Sequence, residues 1–498
     1  MREKTTLSVS SYRCIVSLPE KRCIIIGMEK KHYTPEQRTT LFVSVVTAFI
    51  TTFMGSALNL SVPDIEKDFG VSAAEVGWVV TIYMLTCAAL AVPFGRLADM
   101  FQRRRILWIG ILIFGLSSAA AVISPDMRML LVFRLGQGVG ASMIFSTNIA
   151  ILVGAFDGGM RGRVLGYSTS ATYVGLSAGP VLGGLLNHNF GWRSVFIAAA
   201  AVSAVAFYGA LKRLPSETKR EDKPEMDIKG NILYILSIIA LMYGFSTVTS
   251  SVYGPYILGE VLQLKQAPYI LAAGAILIIL FVRTELTAKD PVIDVRLFRN
   301  NLSYTFSNLA ALLNYGATFA ISYLISIYLQ IIMGYDSQTA GMILISSPVV
   351  MAVLSPVMGR LSDKYSPYIM SSAGMGLCAA ALTLFSFLPE ESSVLRIIAI
   401  LAVSGVGFSL FTSPNTNAVM ASVDREDYGI ASSVLSTMRS IGHTMSMAVV
   451  TLVVGAKMGD SSMTTSGPQE VMNTIHMCFY IFTGLCIGGI FIALRRKS

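Results

Sequence analysis

Long apolar runs separated by short polar stretches fill the chain from residue 40 onward. There are fourteen runs, most of them at least 18 residues long, which is the length at which a helix crosses the apolar core of a bilayer. Backbone groups inside a bilayer must pair within their own segment, so each run predicts a helix and the chain is predicted to be an all-α membrane protein. The runs, called spans 1 to 14, are Thr40–Leu60, Val76–Phe94, Ile106–Ile123, Met129–Val153, Val164–Asn187, Trp192–Leu211, Ile228–Ser250, Ala267–Val282, Tyr304–Met333, Ala340–Met358, Tyr368–Leu388, Val394–Thr416, Tyr428–Val453 and His476–Leu494.

The composition argues against the soluble classes of protein. Of 498 residues, 53% are hydrophobic and only 13% are charged, whereas a soluble domain carries about 25% charged residues. No basic stripe interleaved with aromatic residues indicates nucleic-acid binding, despite the net charge of +9. The six cysteines form no CxxC pair and the four histidines lack metal-ligand spacing. No metal, cofactor or enzyme activity is therefore predicted.

Lysine and arginine predict how the chain is oriented in the membrane. With the N-terminus in the cytoplasm, 30 of the 38 basic residues fall on the inner side and 6 on the outer side, while Arg134 and Arg439 lie inside spans. This asymmetry follows the positive-inside rule and requires an even number of spans. We expect a multi-pass protein of the cell membrane with both termini in the cytoplasm.

The sequence repeats itself at a nearly constant offset. The segment Gly95–Arg105 recurs in part at Gly359–Tyr368, 264 residues later, and the triplet Gly138–Gly140 recurs at Gly405–Gly407, 267 residues later. Such a repeat predicts two homologous halves. Residues 40–211 then form the first six-helix half and residues 304–498 the second.

The remaining residues form a tail and an insertion. Residues 1–39 are predicted to be a cytoplasmic tail, in which Met28 is an alternative start that would leave residues 1–27 outside the native protein. Residues 212–303 are a cytoplasmic linker with two additional helices, spans 7 and 8.

The loop between spans 2 and 3 holds the first candidate site. Asp99 follows Gly95 and precedes three arginines, and part of this spacing recurs in the second half. Glycine lets two helix ends approach closely, and a carboxylate is favoured at a helix N-terminus and can pair with arginine. An ordinary basic loop is the alternative, but the repeated spacing favours a functional site. The candidate residues of this site are Gly95, Asp99, Arg103, Arg104, Arg105, Gly359 and Asp363.

Span 4 contains an arginine, Arg134, followed by Gln137 and two glycines. An arginine at this depth costs on the order of 2.5–3.5 kcal/mol, so it should face a wet cavity or a polar partner. The equivalent position of the second half is Leu401, so the repeat itself does not require the arginine. Asn148 lies on nearly the same helix face and is expected to line the same cavity.

Span 5 carries a glycine–proline stretch formed by Gly175, Gly179, Pro180, Gly183 and Gly184. Proline kinks a helix and glycines allow close helix contact. Generic packing by small residues is the interpretation that the residues alone support.

These motifs resemble those of the major facilitator superfamily, and within it the fourteen-span drug:proton antiporter family, over nearly all of the chain from about Thr40 to Lys497. The span 5 stretch matches g-x-x-x-G-P-x-x-G-G at every specified position, whereas Gln102 replaces the second glycine of the loop motif G-x-L-a-D-r-x-G-R-[RK]. The resemblance implies two six-helix bundles plus two extra spans, and export rather than import. It also implies that the candidate residues of the loop between spans 2 and 3 form a conformational latch for the outward-open state, that the span 5 stretch forms the contact between the two halves, and that Arg134 takes part in proton coupling.

Span 1 and span 2 resemble the family only in part. Asn59 matches the pattern L-D-x-T-x-V-N-V-A-L-P-x-I, but Met54 replaces its aspartate, and Tyr83 matches W-v-x-x-x-Y. None of the 29 carboxylates falls in the middle of a predicted span. The ionisable groups inside the spans are therefore basic.

Two of these basic groups, Arg439 and His443, lie four residues apart in span 13 and hence on one helix face. Histidine titrates near pH ~6.5, so His443 is either a proton-responsive group or a hydrogen-bonded structural residue. The arginines alternatively favour anionic or neutral amphipathic substrates. The candidate coupling and cavity residues are Asn59, Tyr83, Arg134, Gln137, Asn148, Arg439 and His443.

The predicted function is secondary active export of drugs or small lipophilic or amphipathic compounds by alternating access, coupled to proton influx. The expected partners are a small-molecule substrate, protons and the lipid bilayer, and the chain is expected to act as a monomer. One alternative is a facilitator or importer of a small metabolite, against which the glycine–proline stretch argues. Another is a membrane sensor on a transporter fold, against which the lack of an appended soluble domain argues.

Overall fold

A computed structural model describes residues 33–71, 73–156, 158–213, 226–249, 267–288, 290–293, 295–458 and 467–494. Within these ranges the chain is helical and has no β-strand, which confirms the predicted all-α fold. The helices are α1 (Pro35–Ser56), α2 (Val62–Phe69), α3 (Ala73–Met100), α4 (Arg103–Val122), α5 (Met127–Gly154), α6 (Arg161–Phe190), α7 (Arg193–Arg213), α8 (Ile228–Thr249), α9 (Ala267–Thr287), α10 (Val295–Asn300), α11 (Leu302–Thr318), α12 (Ile321–Ile327), α13 (Ser337–Leu344), α14 (Ser346–Ser362), α15 (Pro367–Phe385), α16 (Val394–Ala421), α17 (Tyr428–Met458) and α18 (Pro468–Leu494).

Helix packing follows the repeat in the sequence. In the first half α4 packs on α5 and α7, α3 packs on α5, and α1 packs on α6 and α7. The same five contacts recur in the second half, where α15 packs on α16 and α18, α14 packs on α16, and α11 packs on α17 and α18. The two halves meet along α6 with α14 and along α3 with α17, which are equivalent pairs under the repeat.

The insertion between the halves forms the paired helices α8 and α9, which pack tightly on each other. Gly244 faces Leu271 and Gly274 faces Leu241, so each glycine makes room for a leucine of the partner helix. Helix α8 also contacts α3 of the first half and α17 of the second half. The insertion therefore lies beside one of the two seams between the halves.

Eleven of the described helical stretches are long and apolar enough to cross a membrane. Of the fourteen predicted runs, Val164–Asn187, Ile228–Ser250 and Tyr428–Val453 form the helices α6, α8 and α17, which are not among the eleven. Helices α6 and α17 are rich in glycine, serine and threonine, which lower their hydropathy, and the apolar part of α8 is shorter, Ile228–Gly244.

Two predicted spans differ from the observed helices. Span 9 is broken near Phe319 into α11 and α12 and ends in the π-helical turn Tyr328–Ile332. Span 8 continues through α9 to Thr287. Glu285, which lies beyond the predicted end of span 8 at Val282, therefore belongs to α9, and the residue is only 3% exposed.

Candidate latch and coupling residues

The end of α3 lies against the start of α17. Asp99 Oδ1 accepts a hydrogen bond from the backbone N–H of Gly429 at 3.0 Å, and its Oδ2 accepts one from Ile430 at 2.8 Å. The first turn of a helix leaves its N–H groups unpaired and favours a negative charge. Asp99 is 9% exposed, so water competes little for these donors. The carboxylate thus ties the first half to the second.

Arg103 strengthens this contact from the start of α4. Its Nε donates to Asp99 Oδ1 at 2.8 Å, and its Nη2 lies 2.7 Å from the same oxygen. The Nη2 group also donates to the carbonyl oxygens of Arg425 and Glu426, at 2.6 and 2.7 Å. One guanidinium therefore holds a carboxylate of its own half and backbone of the other half.

A second contact repeats the first with the halves exchanged. Asp363, which follows α14, accepts hydrogen bonds from the backbone N–H groups of Gly162 at 2.6 Å and Arg163 at 2.9 Å, at the start of α6. Desolvation raises the pKa of Asp363 above its usual value, although the two backbone hydrogen bonds act in the opposite direction. The latch therefore consists of two reciprocal contacts between an aspartate and a helix N-terminus.

Glycines allow the helices to come this close. An added Cβ at Gly95 would overlap Ser433 and the carbonyl oxygen of Gly429, and one at Gly359 would overlap the carbonyl oxygen of Gly162. Larger residues at these positions would push the halves apart. We call the end of the molecule that carries Asp99 and Asp363 the latch face, and the opposite end the far face.

Five of the seven predicted latch residues meet across the two halves, and two do not. Arg104 donates to the carbonyl oxygen of Leu211 at 2.7 Å, within its own half. Arg105 is exposed. The residues that meet are Gly95, Asp99, Arg103, Gly359 and Asp363.

Hydrogen bonds between the halves continue from the latch face to mid-depth. Ser170 Oγ donates to the carbonyl oxygen of Ala352 at 2.5 Å, and the hydroxyl oxygens of Tyr173 and Thr412 lie 3.0 Å apart. Tyr173 lies about 18 Å along α6 from its start, at a rise of about 1.5 Å per residue. The halves are thus held together over the latch-face half of α6.

Polar contacts on the far face join elements of the same half. Arg193 Nη1 donates to Asp68 Oδ2 at 2.6 Å, and Trp192 Nε1 donates to the same oxygen at 3.2 Å. Arg193 accordingly holds the pKa of Asp68 below its usual value. Asn187 Nδ2 donates to Asp64 at 2.5 Å. These bonds fix α2 to the turn between α6 and α7, within the first half.

Arg134 is fully buried inside the first half. Its Nε donates to the carbonyl oxygen of Val79 at 2.7 Å, its Nη1 donates to Gln137 Oε1 at 2.8 Å, and its guanidinium carbon lies 4.5 Å from the centre of the Tyr83 ring. Gln137 in turn donates to Ser118 Oγ at 2.6 Å. Of the two predicted surroundings for Arg134, a wet cavity or a polar partner, the structure shows the polar partner. The third guanidinium nitrogen, Nη2, has no hydrogen-bond partner among the described residues.

Asn148 belongs to a contact that both halves share. Its Nδ2 donates to the carbonyl oxygen of Ser44 in α1 at 3.2 Å. Its repeat equivalent, Asn415, donates to the carbonyl oxygen of Ser307 in α11, also at 3.2 Å. Asn148 is therefore a structural link of the repeat.

The glycine–proline stretch of α6 packs within its own half. Added Cβ atoms at Gly175, Gly179 and Gly183 would overlap Thr52, Ser56 and Ala57, in α1 and the turn after it. The expectation that this stretch forms the contact between the halves is therefore wrong. That contact comes from Gly162 and Gly166 on another face of the helix, where Gly166 lies against Ser355 and Pro356 of α14.

The side chains of two candidate residues lie outside the described part of the structure. The side chains of Asn59 and Pro180 are not described, although their backbones lie in the turn Ala57–Ser61 and in α6. Gly184 is half-buried in α6.

Arg439 and His443 contact the same tyrosine, as their spacing predicts. The guanidinium carbon of Arg439 lies 5.5 Å from the ring centre of Tyr315, and the His443 ring meets that tyrosine edge-on at 5.2 Å. His443 also stacks on Phe319 at 4.2 Å, while Arg439 Nη2 donates to Thr416 Oγ1 at 2.8 Å. Both basic groups therefore belong to one cluster at mid-depth.

Sequence reasoning missed the aromatic members of this cluster. Phe408 meets Tyr315 edge-on at 5.2 Å and Tyr173 edge-on at 5.7 Å, so the cluster joins α6 of the first half to α11, α16 and α17 of the second. A tyrosine inside a span needs a hydrogen-bond partner for its hydroxyl group, so Tyr173 and Tyr315 could have indicated this cluster from the sequence. We define the aromatic cluster as Tyr173, Tyr315, Phe319, Phe408, Arg439 and His443.

A separate cavity of about 670 Å³ opens between α1, α6 and α7. Its lining is mostly apolar and includes Phe49 and Val174, with Ser170 and Tyr167 as polar members. It contains none of the residues predicted from the sequence as site residues.

Comparisons with known proteins agree with this architecture. The profile of the Major Facilitator Superfamily matches residues 44–296 and 307–498. The chain is 25% identical over 460 residues to the riboflavin transporter RibZ of Clostridioides difficile, covering 92% of this chain and 97% of that protein. It is 29% identical over 421 residues to the multidrug resistance protein Stp of Mycobacterium tuberculosis, covering 84% of this chain and 76% of that protein.

One solved structure shares the fold. The human organic anion transporter MFSD10 (TETRAN) superposes with a TM-score of 0.67, covering 92% of this chain and 100% of that one, at 15% sequence identity.

Proposed function

The chain belongs to the Major Facilitator Superfamily, and we propose that it is a secondary active transporter that exports drugs or small amphipathic compounds by alternating access, driven by proton influx. The observation that carries this proposal is that the halves are tied together on the latch face, while the far-face polar contacts of the described residues stay within one half. A pair of halves held at one end is suited to rock about a site at mid-depth.

The proposal includes fourteen membrane-spanning helices in a monomer. Eleven stretches meet the criteria for a span, and α6, α8 and α17 are the three that complete the count. The excess of lysine and arginine on the latch-face loops makes that face cytoplasmic, so the conformation is closed to the cytoplasm.

Opening to the cytoplasm requires both aspartates to release their helix N-termini. Hydrogen bonds to a charged group contribute roughly 1.5–3 kcal/mol each at most, so two such contacts can be broken by ligand binding. A substrate shifts the equilibrium only if it binds the two states with different affinity. The contact between Tyr173 of the first half and Thr412 of the second closes the cytoplasmic side of the aromatic cluster. A substrate in the cluster can therefore bind with different affinity when this contact is open and when it is closed.

We propose the aromatic cluster as the substrate site. Its flat rings suit a planar aromatic compound, and its charged side chain is a guanidinium, which favours an anionic or neutral ligand. Arg439 Nε is buried without a partner among the described residues, so it is available as a donor to a ligand.

Proton coupling is assigned to basic groups because the spans lack a central carboxylate. Arg134 and its partners Gln137 and Tyr83 form one polar network, and His443 is the titratable member of the aromatic cluster. We propose that His443 carries the proton and that Arg134 fixes the packing of α5 on α3.

A second candidate function is transport of a planar metabolite. The specific observation that favours it is the extensive similarity to a riboflavin transporter, which covers 92% of this chain. Both candidates use the same cluster and differ in the cargo and in its direction.

The test is transport by the purified chain in proteoliposomes that carry a proton gradient. Wild type, Arg439→Gln and, as control, the exposed Arg105→Gln would be compared with anionic, neutral and cationic planar dyes. We expect gradient-driven uptake that favours anionic and neutral dyes, loss of that preference in Arg439→Gln, and no change in the control. Uptake that ignores the gradient, or that favours cationic dyes, would contradict the proposal.

A further inference from the structure

A cluster of buried charges lies on the latch face outside the sites described above. It joins the insertion to the first half, through the start of α8, the end of α9 and the last turns of α3. Glu285 of α9 is 3% exposed and Arg96 of α3 is 9% exposed. The third member is Asp227, the residue before α8. Charges this deeply buried are costly unless they are paired.

The two carboxylates each have one satisfied and one unsatisfied oxygen. Glu285 Oε2 accepts a hydrogen bond from the backbone N–H of Ile293 at 2.9 Å, and Asp227 Oδ1 accepts one from Gly230 at 2.8 Å. Glu285 Oε1 and Asp227 Oδ2 are buried and have no partner among the described residues. An added Cβ at Gly230 would overlap both of these oxygens, so they border the same small space.

The charges in the cluster do not balance. Arg96 attracts Glu285, and Asp227 repels it. Arg96 Nε is itself buried without a partner in the described part of the chain. Two carboxylates facing one guanidinium leave one negative charge in excess, and one proton would cancel it. That proton would also supply the donor that the two unpaired oxygens lack.

We propose that Glu285 binds a proton, which it donates in a hydrogen bond to Asp227, and that this site sets how firmly the insertion holds α3 at the latch. The proton comes from water on the latch face and forms an O–H bond on Glu285 Oε1, which donates to Asp227 Oδ2. When the proton leaves, the two carboxylates repel each other across Gly230 and the ends of α8 and α9 separate.

The site is connected to the latch through a short piece of α3. Arg96 lies between Gly95, which packs on Ser433 and Gly429 of α17, and Asp99. Helix α8 also contacts α17 directly, where the hydroxyl oxygens of Tyr234 and Thr437 lie 2.8 Å apart. The insertion therefore contacts both sides of one seam. The proton site is inferred from the positions of Glu285, Asp227 and Arg96 alone, whereas its effect on transport rests on the proposed function.

The first experiment detects the proton. Infrared difference spectra of the full chain in nanodiscs, recorded during a pH titration, show the protonated carboxyl band. We expect one titrating band in wild type that is lost in Glu285→Gln and in Asp227→Asn, and retained in the control Glu391→Gln, which changes an exposed carboxyl. A band unchanged in both variants overturns the proposal, and the second variant serves if the first does not fold.

The second experiment measures the effect on the latch. Spin labels at the exposed positions Phe101 and Tyr365, one in each half on the latch face, report the distance between the halves. We expect the open population to grow severalfold as the pH rises in wild type, and to grow clearly less in Glu285→Gln, which keeps only the contribution of Asp363. Equal pH dependence in both proteins overturns the regulatory part. If the band titrates as expected but no solute is transported, the proposed function fails and the proton site stands.

Discussion

The two halves make the same contact with each other in reciprocal positions, yet the two copies are not equally reinforced. Asp99 binds two N–H groups of α17 and Arg103 as well, and it is 9% exposed. Asp363 binds two N–H groups of α6, and the residue equivalent to Arg103 is Pro367, the first of α15. The comparison teaches that the repeat preserved the bond between carboxylate and helix N-terminus, whereas the guanidinium is specific to the first half.

The largest effect is expected for Asp99→Asn. The change removes the charge that holds α17 and leaves Arg103 without its carboxylate, which costs about 1.5–3 kcal/mol. The ratio of closed to open latch face should fall roughly 10- to 100-fold. Distances between spin labels at Phe101 and Tyr365 measure this ratio, with Glu391→Gln as control. A closed population equal to that of wild type would contradict the role given to Asp99.

Arg103→Gln tests whether the guanidinium is what distinguishes the two copies. Asp99 would keep its two N–H donors, so the first copy would resemble the second. The Arg103–Asp99 pair is largely buried, with side-chain exposures of 11% and 0%. We expect a loss of about 1 kcal/mol, roughly fivefold in the closed population. Arg105→Gln is the matched control, and equal effects of the two changes would show that net charge alone is responsible.

Asp363→Asn should have a smaller effect, and one that depends on pH. The pKa of Asp363 is raised when the latch is closed, so closure takes up a proton there. The stabilisation of the closed state by this group is thus fully present at low pH and is lost as the pH rises through that pKa. Asn offers a single acceptor oxygen to the two N–H groups and does not titrate, so the variant should be less closed than wild type and should depend less on pH. The same label pair, read during a pH titration, measures this, and identical curves would contradict the assignment.

The smallest effects are expected where the halves are alike. Asn148→Ala and Asn415→Ala each remove one hydrogen bond to a backbone carbonyl at 3.2 Å. Buried interhelical bonds in membranes contribute about 0.6 kcal/mol on average. Thermal unfolding in detergent should show nearly equal, small losses for the two variants. A large loss in only one of them would mean that this contact is not equivalent in the two halves.

The sequence predicts the latch carboxylates but not their partners. Asp99 and Asp363 could be identified because their motif repeats in the sequence, and a sequence repeat does not depend on the conformation of the protein. The bond from Gly429 to Asp99 joins residues that are 330 apart in the sequence. No local pattern encodes such a contact.

The assignment of the faces of α6 shows a second limit of sequence reasoning. Small residues occur on two faces of this helix, and between Gly162 and Gly175 the helix turns through about 220°. The first glycine meets the second half and the other meets α1. The motif correctly predicted close packing of α6, but it could not indicate which helix each glycine contacts.

Glu285 shows a third limit. Its run of apolar residues ended at Val282, because an arginine, a threonine and the glutamate itself follow. The helix continues to Thr287 because the last turn packs under the segment Val292–Ile293, which is buried and donates to the carboxylate. Tertiary contacts thus extended a helix that hydropathy ended.

The central claim is that two carboxylates hold the halves closed on the latch face. The most direct test is the distance between labels at Phe101 and Tyr365 in the double variant Asp99→Asn, Asp363→Asn, with Glu391→Gln as control. The account predicts a short distance in wild type and in the control, and a predominantly long distance in the double variant. A short, unchanged distance in the double variant would contradict it.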